Sequence, residues 1–125
     1  MRLISPLNRV LGLGSAKQGA EHWWGQRMTA IALIPLGLWL AASLAALPDY
    51  SHAALTAWVG MPLTTILLVI TVLVVTYHSH LGVQVVVEDY VQGALKIITL
   101  VLSLFAHAFV GVAGVYAVLR IGFGA

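Results

Sequence analysis

Three long apolar stretches constrain this chain. They run from about Met28 to Leu47, from about Leu63 to Val87 and from about Ala94 to Leu119. A bilayer core is crossed by about 20 consecutive apolar residues in a helix, so each stretch reads as a membrane span. Charged residues are 8% of the 125 and hydrophobic residues 61%, whereas soluble domains are about a quarter charged. So little charge cannot clothe a water-soluble globule, and disordered chains are poor in apolar residues. The predicted fold is an all-α membrane protein of three transmembrane helices. Three helices enclose no large site alone, so the expectation is one part of a heteromeric helical bundle. Pro35 falls in the first span, where neighbouring groups can re-satisfy the freed carbonyl.

The chain divides into a polar N-terminal segment, residues 1–27, and the three-helix anchor, residues 28–125. No apolar run in the first segment is long enough for a cleavable signal peptide. Arg2, Arg9, Lys17 and Arg27 all precede span one, while the connection from about Pro48 to Pro62 has no Lys or Arg. Lys96 follows the short second connection, and Arg120 lies at the C-terminal end. The positive-inside rule then places the N-terminus in the cytoplasm, the first connection outside, the second inside and the C-terminus outside. Trp23, Trp24 and Trp58 lie just outside the spans, at the depth of aromatic belts. With no cysteine, the chain offers no disulfide, thiolate metal site or iron–sulfur ligand. A net charge of +2 gives no reason to expect nucleic-acid binding. Gly12-Leu13-Gly14-Ser15 lacks the strand–turn–helix setting of a phosphate loop.

Ionisable groups inside a span are expensive and usually functional. At about 100° per residue, His78, Gly82, Val85 and Asp89 fall on one stripe of the second span. His78 and Asp89 are then roughly 16 Å apart along it, at about 1.5 Å per residue. His80 lies about 200° from His78 and faces the other way. Neutral imidazole is a common axial ligand of haem iron, and a glycine one turn on would let a flat macrocycle lie close. The same pattern also suits a histidine bonded to a neighbouring helix beside a close-packing glycine. His107 and Gly111 repeat the spacing in span three. His107 reads either as an interhelical hydrogen-bond donor, the preferred reading, or as a second haem ligand.

Glu88-Asp89-Tyr90 ends span two. A tyrosine hydroxyl with a carboxylate beside it suits a lipid-soluble quinone, and equally an ordinary interfacial helix end. His22-Trp23-Trp24-Gly25-Gln26-Arg27 opens span one. Arg27 could meet a haem propionate, since guanidinium matches carboxylate geometry, or could snorkel as an anchor. Trp23, Trp24 and Gln26 read as interfacial anchors, and His52 as a surface group of the outer loop.

The segment from His78 through Gly82 to Asp89-Tyr90 resembles the signature of the small hydrophobic anchor subunit of succinate dehydrogenase, respiratory complex II. The opening of span one, from Gln26-Arg27 to Pro35-Leu36, is similar to the same family. The likeness covers nearly the whole chain from about Glu21. Ile34-Pro35-Leu36 and the Glu88 before Asp89 look most like the alphaproteobacterial and mitochondrial branch. The resemblance implies that His78 is one axial ligand of a haem b, whose second histidine comes from a companion cytochrome b anchor subunit. It implies that Arg27 lies near the haem propionates, that Tyr90 hydrogen-bonds ubiquinone and that Asp89 shapes that site. The implied partners are the companion anchor, an iron–sulfur subunit and a flavoprotein subunit that oxidises succinate. The anchor of a fumarate reductase using menaquinone, and a non-redox membrane scaffold, are the other readings. A small transporter fits less well, because the ionisable groups gather at one rim.

Overall fold

The structure is a computed structural model and describes residues 18–124. Arg2, Arg9, Lys17 and the Gly12–Ser15 motif lie outside the described residues. Four helices follow one another: α1, Gln18–Ala45; α2, His52–Val59; α3, Pro62–Tyr90; and α4, Gly93–Gly122. Helices α1, α3 and α4 are long and apolar enough to cross a membrane. In lipid a helix satisfies its own backbone polar groups, which is why apolar stretches of this length become helices.

The helices outrun the apolar stretches that announced them. Helix α1 begins at Gln18, ten residues before Met28, so Trp23, Trp24 and Arg27 are helical residues. Helix α3 carries Glu88, Asp89 and Tyr90 in its last turn. Helical hydrogen bonds do not stop where lipid contact stops, so hydropathy marks the buried middle and misses the ends. Pro35 sits within α1, and the helix continues through it to Ala45.

The first connection holds a helix of its own, where the sequence suggests only a loop. The Ser51 side chain caps α2 by accepting from the Ala54 N–H at 3.2 Å. Hydrogen bonds from Ser51, its side chain first and its backbone N–H second, hold the Asp49 carboxyl below its ordinary range. Trp58 is not a belt residue. It is 8% exposed and stacks on Trp39 of α1, ring centroids 6.2 Å apart and planes 20° from parallel. Helix α2 packs against one end of α3 and α4, and this carries Trp58 inward.

Two residues, Val91 and Gln92, join α3 to α4. Gly93 opens α4 at φ +66°, a left-handed conformation that costs other residues about 1–2 kcal/mol. Lys96 Nζ reaches back and donates to the Glu88 carbonyl at 3.0 Å. This short turn forces α3 and α4 into an antiparallel pair, as the close spacing of the spans implied.

Helix α3 lies in the middle. It packs on α1 along one side and on α4 along the other, and no Cα of α1 comes within 8 Å of one in α4. Apolar side chains drive no association inside lipid, so close backbone approach through small residues holds such helices together. An added Cβ at Gly114 would lie 2.9 Å from Val72, and one at Gly122 2.6 Å from Thr65. These glycines let α4 settle onto α3. Large apolar groups such as Leu38, Phe105 and Phe109 face outward, as membrane-exposed surface does.

Candidate functional site between the long helices

The side of α3 that meets α1 carries His78, half-buried between two polar residues of α1. Its Nδ1 lies 2.8 Å from the Thr29 hydroxyl. Its Nε2 lies 3.5 Å from the Gln26 carboxamide nitrogen, at the limit of a hydrogen bond. Thr29 is itself anchored: its hydroxyl is 2.7 Å from the Gly25 carbonyl and 3.1 Å from that of Gln26. Gln26 and Thr29 are three residues apart, hence neighbours on one helix face. Together they bracket the imidazole ring.

Gly82 lies one turn from His78 on the same side. A Cβ there would meet the Gln26 nitrogen at 3.7 Å, an ordinary contact. Gly25 is tighter, since its Cβ would lie 3.1 Å from Leu81. The Gln26 Oε1 atom is buried without a hydrogen-bond partner, which leaves this polar pocket incomplete within the chain.

The opposite side of α3 carries Ser79 and His80 toward α4. His107 Nδ1 donates to the Ser103 carbonyl at 2.8 Å, so its Nε2 accepts from the Ser79 hydroxyl at 3.2 Å. His107 is therefore bonded between helices as the acceptor, not as the interhelical donor that the sequence suggests; its own N–H stays within α4. His80 lies beside it, ring centroids 5.4 Å apart, with Nδ1 buried and unpartnered. The 200° between His78 and His80 thus separates two environments, one shared with α1 and one with α4.

The remaining site candidates stand apart from His78. Arg27 is exposed, its guanidinium 5.4 Å from the centre of the Trp23 ring. Asp89 and Tyr90 lie at the end of α3, and Tyr90 is 83% exposed. Glu88, beside them, accepts from the Gln84 side chain at 2.8 Å. Gln26 is half-buried against His78, not an interfacial anchor, and Thr29 joins the site without any motif to mark it. The signal for this pair is faint: two polar residues, three apart, at the start of an apolar stretch.

His78 fits a haem iron on two observations besides its chemistry. The Nε2 edge has only a limiting contact in front of it, from a carboxamide whose oxygen is orphaned. Gly82 itself puts no side chain on the flank below the ring, where the nearest group to an added Cβ is the Gln26 carboxamide at 3.7 Å. Among the described residues no cluster of three or more His, Cys, Asp or Glu could hold a metal ion.

These features define a helical membrane protein with one polar histidine pocket on each side of its central helix. A family model for the succinate dehydrogenase/fumarate reductase transmembrane subunit matches residues 1–117. The chain belongs to that family. It is 32% identical over its whole length to the succinate dehydrogenase hydrophobic membrane anchor subunit of Paracoccus denitrificans, of which the match covers 97%. It is 42% identical over 80 residues to the protein of the same name from Rickettsia bellii, covering 63% of each chain. A match to the succinate dehydrogenase membrane anchor subunit of Reclinomonas americana is 32% identical over 88 residues, covering 68% of this chain and 73% of that one.

Proposed function

We propose that this chain is the membrane anchor of a succinate:ubiquinone oxidoreductase, supplying His78 as one axial ligand of a haem b and Tyr90 and Asp89 to the quinone site. The observation that carries the reading is the bracketed His78: one ring nitrogen held by Thr29, the other beside an incompletely bonded carboxamide. The names of the relatives support the anchor role. The basic N-terminal residues support an N-terminus on the cytoplasmic side of a bacterial inner membrane, with the C-terminus in the periplasm.

Each residue has a separate task. His78 would hold the iron of a haem, Gly82 would leave room beside it, and the Arg27 guanidinium, one residue from Gln26, would answer carboxylate charge on the group. A bound haem would supply a one-electron carrier near the quinone. Tyr90 donates its hydroxyl to a quinone carbonyl, which favours the reduced, more negative oxygen. Asp89 sits beside it at the aqueous rim, placed to pass protons as ubiquinone takes up two electrons and two protons. The exposure of Tyr90 leaves room for substrate and for partner subunits to complete that site. Nothing in this chain oxidises succinate; electrons come from a flavoprotein through an iron–sulfur subunit. A companion cytochrome b anchor supplies the second histidine, across the sides of α3 and α1 that this chain leaves uncovered.

The test is a reduced-minus-oxidised visible spectrum of the complex purified through this chain. A low-spin b-type haem that co-purifies with flavin and iron–sulfur protein, and is lost in His78→Ala, supports the reading. Haem retained in His78→Ala moves the ligand to His80 or His107. Absence of haem and of both partners leaves a membrane scaffold. Assay with ubiquinone and menaquinone separates succinate oxidation from fumarate reduction.

A further inference from the structure

We infer that Thr29 is a positioning residue: its hydroxyl fixes the tautomer and ring plane of His78 so that Nε2, not Nδ1, is presented to iron. The inference rests on the reading of His78 as haem ligand and adds the residue that prepares it.

The Thr29 hydroxyl has a single proton. It lies 2.7 Å from the Gly25 carbonyl oxygen, one turn back on its own helix, where threonine hydroxyls commonly donate. The proton spent there leaves the hydroxyl oxygen to accept from His78 at 2.8 Å. His78 Nδ1 must then carry the ring proton, and Nε2 carries the lone pair. Gln26 is consistent with this tautomer: its carboxamide nitrogen lies 3.5 Å from Nε2, a limiting contact that the side chain would give up for iron. Metal-bound histidines regularly donate their second ring N–H to an oxygen, which sets orientation and raises ligand basicity. Here the oxygen belongs to a side chain of a different helix. The register of α1 against α3 therefore governs the ligand.

The second pocket gives a contrast within the same chain. His107 Nδ1 is tied to its own helix at Ser103, and its Nε2 already accepts from Ser79. His80 has no partner on Nδ1. Of His78, His80 and His107, His78 is the one that combines an anchored Nδ1 with a weakly contacted Nε2.

The experiment compares Thr29→Val and Thr29→Ser in the intact complex, purified through this chain, with haem per flavin and the haem midpoint potential as readouts. Valine keeps the shape and removes the hydroxyl. Its expected effect is haem retention weakened about 10-fold or more and an upward shift of the potential, because a less basic imidazole stabilises ferric iron less. Serine restores both towards the unsubstituted values. Thr29→Ala carries the same expectation as valine and replaces it if the valine complex does not assemble. An unchanged potential and haem content in the hydroxyl-free variant overturns the inference while His78→Ala still loses haem. Haem retained in His78→Ala overturns the ligand reading itself.

Discussion

Ser79 and His107 join α3 to α4 through a 3.2 Å hydrogen bond between the serine hydroxyl and Nε2. One residue before Ser79, His78 turns to α1 instead. Adjacent positions on α3 thus serve two interfaces, Ser79 the one with α4 and His78 the one with α1.

Removing the first link should loosen the helix pair and leave haem alone. Interhelical hydrogen bonds in membranes average about 0.6 kcal/mol and reach about 1.7. Ser79→Ala and His107→Leu should each destabilise the protein by that order, with a coupled double variant little worse than either. Unfolding in a graded denaturing detergent measures it, and the haem spectrum should stay unchanged throughout.

Tyr90→Phe removes the exposed hydroxyl at the end of α3. A hydrogen bond to a neutral partner contributes about 0.5–1.5 kcal/mol, so quinone reduction should fall about 2- to 10-fold. Succinate oxidation with a soluble dye acceptor should be untouched. Equal loss of both activities would count against a quinone contact.

Gly114→Ala should force α4 away from α3, since the new Cβ would lie 2.9 Å from Val72. Overpacking of this kind costs about 1–3 kcal/mol. Val72→Ala in the same chain should restore much of the loss, which a thermal assay of the purified complex can read.

Gly93→Ala places a side chain at φ +66°. The expected penalty is about 1–2 kcal/mol, felt at the turn between α3 and α4. Gly37→Ala is the control: that glycine is helical and has nothing within 4 Å of an added Cβ. It should be neutral or slightly stabilising by the same thermal assay.

What can be read in the chain and what cannot divides along physical lines. Spans show because about 20 apolar residues in a row have few other fates. The opposed directions of His78 and His80 follow from helical periodicity alone, and the structure sends them to different helices. The start of α1 at Gln18 is hidden because polar residues such as Glu21 and Gln26 hide nothing from a helix and everything from a hydropathy count. Helix α2 leaves one local trace, Ser51 ahead of an Ala- and Leu-bearing stretch, which eight residues are too few to amplify. Trp58 looks like an anchor in the sequence because its inward turn depends on that helix. Thr29 and Gln26 are illegible as partners of His78 for a deeper reason. They meet it from 49 and 52 residues away, and a single sequence carries no statement of how one helix slides against another.

The central place of α3 decides how His78 can be reached. Among the long helices α1 touches only α3, and the α3–α4 pair is closed separately around its two-residue turn. The polar lining of the imidazole on that side, Gln26 and Thr29, comes from α1 alone. The seam that covers His78 is thus made by one helix, held to the rest of the chain by α3 along its length and by the Trp39–Trp58 stack near one end.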